Sequence, residues 1–84
     1  MYKIVFTKQA VKDYEKVRTS NLKAKAGQIL KTISENPYKK PLEKLTDKEN
    51  TYSKRLNVQH RIVYEIFDQE QTVKIIRMWT HYGE

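Results

Sequence analysis

Apolar residues recur along this chain with two different periods, and the change between them divides it. Ala10, Tyr14 and Val17 recur at helical spacing, which puts them on one face and predicts a helix over about Lys8 to Arg18. Leu22, Ala26, Ile29, Leu30 and Ile33 make a second apolar stripe and predict a helix from about Leu22 to Glu35. Thr7 stands where it can cap the first helix. Thr19-Ser20-Asn21 separates the two and caps the second. Asn36-Pro37 ends it, because a residue before proline is pushed out of helical geometry.

The start and the end of the chain alternate instead. Tyr2 to Phe6 reads as a short strand of apolar and aromatic residues. Tyr52 to Leu56, Arg61 to Phe67 and Thr72 to Trp79 read as three more, with Ile62, Tyr64 and Ile66 on one face. Turns are expected near Asn57 to Gln59 and over Asp68-Gln69-Glu70-Gln71. Tyr38 to Thr51 is polar and lysine-rich. It reads as a loop with at most a turn of helix or a brief strand, pinned to the core by Leu42 and Leu45. The order is β-α-α-β-β-β. It predicts an α+β fold, a twisted and mainly antiparallel sheet with two helices packed on one face and the other face open and partly polar.

Composition narrows the function. Residues 1–84 make a single domain with a small core, in which six Tyr, two Phe and one Trp supply much of the apolar surface. A formal net charge of +7 points to a polyanionic partner, although excess surface lysine would give the same figure. There is no cysteine, which removes disulfides and thiolate metal sites and fits a cytoplasmic location. No apolar run reaches membrane-spanning length, and the start is unsuited to a signal peptide.

Much common chemistry is missing. There is no glycine-rich phosphate loop and no serine in a nucleophile turn. Two isolated histidines make a poor metal site, so no metal and no cofactor is expected. Proton transfer with cation stabilisation of an anionic transition state remains open. RNA can be cleaved that way, because its own 2′-hydroxyl is the nucleophile. The groups needed occur in separate segments: Glu43 in the loop, Arg55 and Arg61 on successive strands, and His81 near the end. Each also has an ordinary explanation. His81 reads as a solvated terminal side chain, Arg61 as a surface arginine and Glu43 as one carboxylate among lysines. Tyr64 and Trp79 read as packing residues, His60 as a structural residue bonded to backbone, and Lys8, Lys12 and Lys16 as a hydrated helix face.

The run Tyr52-Ser53-Lys54-Arg55-Leu56-Asn57-Val58-Gln59-His60-Arg61-Ile62-Val63-Tyr64 resembles the YoeB/Txe toxins of the RelE superfamily. Glu43-Lys44-Leu45 is similar to a Glu-x-Leu element of that family, and His81-Tyr82 to its His-Tyr ending. The resemblance implies a toxin of a toxin–antitoxin pair, a ribosome-dependent endoribonuclease that cuts mRNA in the decoding A site without a metal. It implies Glu43 as general base, Arg61 as stabiliser of the phosphorane and His81 as general acid. Glu49 is a rival to Glu43, because the Thr46–Thr51 loop lacks the family's glycine turn. Arg55 and Tyr82 would hold the RNA, and Lys54, Lys48 and the helix lysines would face ribosomal RNA. The implied partners are the ribosome, mRNA, an acidic and partly disordered antitoxin, and a second copy in a homodimer. Gly83-Glu84 follows the His-Tyr pair here. Two other readings fit the residues: a basic RNA- or ribosome-binding module without catalysis, and an interaction protein whose basic surface only receives an acidic partner.

Overall fold

The computed structural model of this protein describes residues 1–79. It begins with β1 (Lys3–Phe6), α1 (Lys8–Arg18) and α2 (Lys23–Glu35), and continues with β2 (Glu43–Lys44), β3 (Thr51–Arg55), β4 (Arg61–Phe67) and β5 (Thr72–Arg77). Thr7 caps α1, its hydroxyl accepting from the Ala10 N–H at 3.0 Å. The expected capping of α2 is not built that way. Leu22 is the N-cap and makes no side-chain cap bond, while Ser20 Oγ accepts from the Leu22 N–H at 3.1 Å just outside the helix.

The five strands form one sheet in the order β1-β5-β4-β3-β2. β1 lies parallel to β5, and every other pair is antiparallel. Ile62, Tyr64 and Ile66 of β4 and Val73 and Ile75 of β5 form the core with Ala10 and Val17 of α1 and Ala26 and Ile33 of α2. Both helices therefore cover the same side of the sheet, as the α+β pattern predicts.

The structure sharpens three expectations. The brief strand allowed within Tyr38–Thr51 is present as a fifth strand, because Glu43 and Lys44 pair with Ser53 and Tyr52. Leu45 is buried but outside the main cluster, and Leu42 is half-buried along a cavity described below. The face away from the helices is open only in part. Thr51, Ser53 and Val63 alternate with the core-facing residues and are nevertheless buried.

Hydroxyl groups fasten the end of α2 to the sheet. Tyr64 Oη donates to the Pro37 carbonyl at 2.8 Å, with both residues buried. Tyr38 and Tyr2 donate to the two oxygens of Asp68 at 2.6 and 2.8 Å and hold its carboxyl below the usual carboxylate range. Tyr64→Phe strands a buried carbonyl, so it is expected to destabilise the fold by about 1 kcal/mol. Thermal denaturation should read this as a melting point lower by roughly 4–8 °C. An unchanged melting point would mean that the bond contributes nothing net.

Candidate active site at the margin of the sheet

Sheet register carries Glu43 to Arg61. Glu43 stands opposite Ser53, and Ser53 opposite Val63, so these three share a face with Arg61, two positions before Val63 on β4. Ser53 is small and buried between them. The long Arg61 side chain reaches across it, and its Nη1 donates to Glu43 Oε1. A bulkier residue at 53 would stand in the path.

The pair is poised for use more than for stability. The Glu43 side chain is 66% exposed and the Arg61 side chain 22%. A solvent-exposed ion pair contributes at most about 1 kcal/mol. An incoming phosphate can therefore take the guanidinium at small expense, leaving the carboxylate beside it to accept a proton.

Two hollows meet at this pair. The larger, about 600 Å³, is bounded by α2, the loop before β2, and the adjoining parts of β2, β3 and β4. Lys25, Lys39, Lys40, Lys54, Arg55 and Arg61 line it, and among the described residues Glu43 is its one carboxylate. The smaller, about 490 Å³, adds Leu45, Thr46 and Asp47 on the other side of Glu43 and Arg61. Such a cleft concentrates anions, because the cations around it act together.

The other sequence candidates are placed as follows. Arg55 pairs with Arg61 across β3 and β4, is exposed and lines the larger hollow. Lys48 is exposed on the loop after β2 and lines neither hollow. Glu49 is exposed and also lines neither, so the carboxylate that meets Arg61 is that of Glu43. Lys54 is not the surface lysine expected. It is 6% exposed, and its ammonium donates to the Lys39 carbonyl and to the Pro41 carbonyl at 3.0 Å. Burial and then the neighbouring Lys39 push its pKa down. Its evident work is to hold the Lys39–Pro41 loop as a wall of the cavity. His81 and Tyr82 lie outside the described residues.

Asp13 is the functional-looking group that sequence reasoning missed. It is fully buried on α1 and accepts from Arg77 Nε at 2.8 Å, the Met78 N–H at 2.9 Å and Gln9 Nε2 at 3.0 Å. Arg77 Nη2 also donates to the Trp79 carbonyl at 3.3 Å. A bulge helps to build this. Val63 pairs with Arg77 while Tyr64 pairs with Ile75, so Ile76 is an extra residue and the end of β5 turns toward α1. Trp79 stacks on the His60 imidazole with ring centroids 4.0 Å apart.

Comparison with known proteins places this architecture. The family model described as a YoeB-like toxin of bacterial type II toxin–antitoxin systems matches residues 6–82. The YoeB dimer from Staphylococcus aureus is similar at 31% identity and a TM-score of 0.82, covering 96% of this chain and 98% of its own. The heterotetrameric YoeB–YefM toxin–antitoxin complex from the same organism is similar at 31% identity and a TM-score of 0.78, over 98% of this chain and 99% of that one. The intact Escherichia coli RelBE toxin–antitoxin complex shares the fold at 23% identity and a TM-score of 0.82, over 95% and 96% of the chains. No curated protein matches the sequence significantly. A match from residue 6 to residue 82, in a chain folded as these toxins are, means that the protein belongs to the YoeB-like toxin family of bacterial type II toxin–antitoxin systems.

Proposed function

We propose that this chain is a ribosome-dependent endoribonuclease that cuts mRNA in the decoding A site and so stops translation. One observation carries the reading: Glu43 and Arg61, from different strands, meet at a cavity whose other charged lining groups, among the described residues, are cations. A scissile phosphate entering there takes Arg61 from Glu43. Glu43 then removes the proton of the 2′-hydroxyl, and the 2′ oxygen attacks phosphorus. Arg61 stabilises the crowded phosphorane, and His81 protonates the departing 5′ oxygen. The products are a 2′,3′-cyclic phosphate and a 5′-hydroxyl. The scheme uses only proton transfer and cation stabilisation.

Arg55 and Tyr82 hold the RNA in this proposal, and Lys48 with the exposed Lys8, Lys12 and Lys16 of α1 faces ribosomal RNA. Its place of action is the cytoplasm, where ribosomes are. Its antitoxin is acidic and partly disordered and folds onto the basic surface. A homodimer belongs to the same proposal. Among the described residues no helix is long and apolar enough to cross a membrane.

Mapping the 5′ ends of a transcript with and without translation tests the reading, with Glu43→Gln, Arg61→Ala and His81→Ala alongside. New ends are expected only on the translated message, and none of the variants should produce them at the parental rate. Ends on untranslated RNA alone would remove the ribosome from the mechanism. If Glu43→Gln arrests growth as the parent does, the chain is a non-catalytic binder that blocks the ribosome through its basic surface.

Salt gives a further expectation. Contacts between lysines and phosphates release counterions, so ribosome association should fall steeply with ionic strength. For about six such contacts, the loss between 50 and 200 mM salt is on the order of a thousandfold. Sedimentation with ribosomes at graded salt measures it, and a flat response would mean that the charge serves something else.

A further inference from the structure

The larger cavity extends well past the Glu43–Arg61 pair. At about 600 Å³ it is the size of a site for a whole small-molecule ligand, more than one phosphate needs. Its far wall is α2, where Lys25, Ile29 and Thr32 recur at helical spacing and line the cavity together. Lys40, from the loop that Lys54 holds in place, lines it too. Lys25 and Lys40 are both exposed, and among the described residues neither is in an ion pair. Half-buried Ile29 and Leu42 supply apolar surface nearby. A cavity lined by several cations and also by apolar side chains matches a nucleotide carrying a phosphate on each side of its ribose.

We infer that Lys25 and Lys40 form a second phosphate subsite, which takes the backbone phosphate of the nucleotide next to the scissile bond while that nucleotide rests on Ile29 and Leu42. The inference rests on the nuclease reading for the identity of the strand, and it adds residues of α2 to the site. An acidic segment of a protein is the alternative occupant. Apolar surface among the cations favours the nucleotide, because a run of carboxylates has no use for the apolar part.

The test uses the isolated full-length protein and small ligands, so it does not depend on cleavage. Adenosine 3′,5′-bisphosphate and adenosine 3′-monophosphate are titrated by calorimetry into the parent, Arg61→Ala and the double variant Lys25→Ala/Lys40→Ala. The parent should prefer the bisphosphate by about tenfold, the usual effect of one added charge-assisted phosphate contact. In the double variant that preference should disappear, while monophosphate binding stays as it was. Arg61→Ala should weaken both ligands and keep the preference. Equal binding of the two ligands by the parent overturns the subsite, as does an undiminished preference in the double variant. If a glutamate-rich peptide shows the dependence on Lys25 and Lys40 and the bisphosphate does not, the surface serves an acidic protein and the inference falls. If Glu43→Gln cuts translated message at the parental rate while the bisphosphate preference behaves as expected, the nuclease mechanism fails and the subsite stands.

Discussion

Arg61→Ala is expected to slow single-turnover cleavage on programmed ribosomes by roughly a hundred- to a thousandfold, the usual loss when one donor aimed at developing charge is removed. The argument begins from what the ground state holds. In the free protein Arg61 already has an anion, the Glu43 carboxylate, but in a setting where that contact contributes little. In the transition state the same guanidinium would face a phosphorane, whose developing charge a donor already in place stabilises without reorganisation. Arg61→Ala therefore acts mainly on the chemical step. Ribosome binding should change little, since the other cations persist. Arg61→Lys keeps the charge but loses the planar fork, so it should recover only part of the rate. Cleavage by Arg61→Ala within about threefold of the parent would remove the assigned role of Arg61.

Asp13→Ala is expected to destabilise the protein by about 2–4 kcal/mol. It removes a fully buried carboxylate and leaves the Met78 N–H and the Arg77 guanidinium without their acceptor. Arg77 is 37% exposed and can turn to water, which keeps the loss below that of a pair buried on both sides. For a domain this small the melting point should fall by more than about 10 °C. A fall under about 3 °C would show that Asp13 is incidental. The acid side gives an independent check. Burial alone would raise the Asp13 pKa, but the hydrogen bonds from Arg77, Met78 and Gln9 outweigh it and hold the carboxyl below its ordinary value. The folded state thus binds this proton less readily than the unfolded chain does. The Asp13 contribution is whole above the ordinary carboxylate pKa of about 3.9 and disappears as the pH falls through the lower folded value. Stability of the parent should drop more steeply than that of Asp13→Asn below about pH 4.

Much of this molecule can be read from its residues, and the parts that cannot have physical causes. Both helices and four strands of the sheet announce themselves by pattern, because each buries one face against the core. β2 does not. Glu43 and Lys44 have no strand character of their own, and their pairing comes from β3 beside them. Asp13 was available but disguised. It stands three residues after Ala10 and four before Val17, squarely on the buried stripe of α1, yet its neighbour Lys12 and its charge make it read as surface. Lys54 is a similar case, for it alternates with Tyr52 and Leu56 and so turns inward with them. Of the site, the meeting of Glu43 with Arg61 could be suspected from the Glu-x-Leu and His-Arg elements but needs the register of two strand pairs to be seen. Lys25 gave no signal, since a lysine on a helix is ordinary until something opposite it forms a cavity.

The parallel pairing of β1 with β5 joins residues 69 positions apart in sequence, Lys3 with Thr72 and Phe6 with Ile75. During synthesis, Lys3–Phe6 and the two helices emerge first and have no sheet to lie on. The strand that β1 needs is Thr72–Arg77, which follows both helices and the three other strands. Contacts of such wide separation close late, after the entropy of the long intervening segment has been overcome. Until Thr72–Arg77 is available β1 has no edge to join, so this pairing is expected to be among the last parts of the sheet to close.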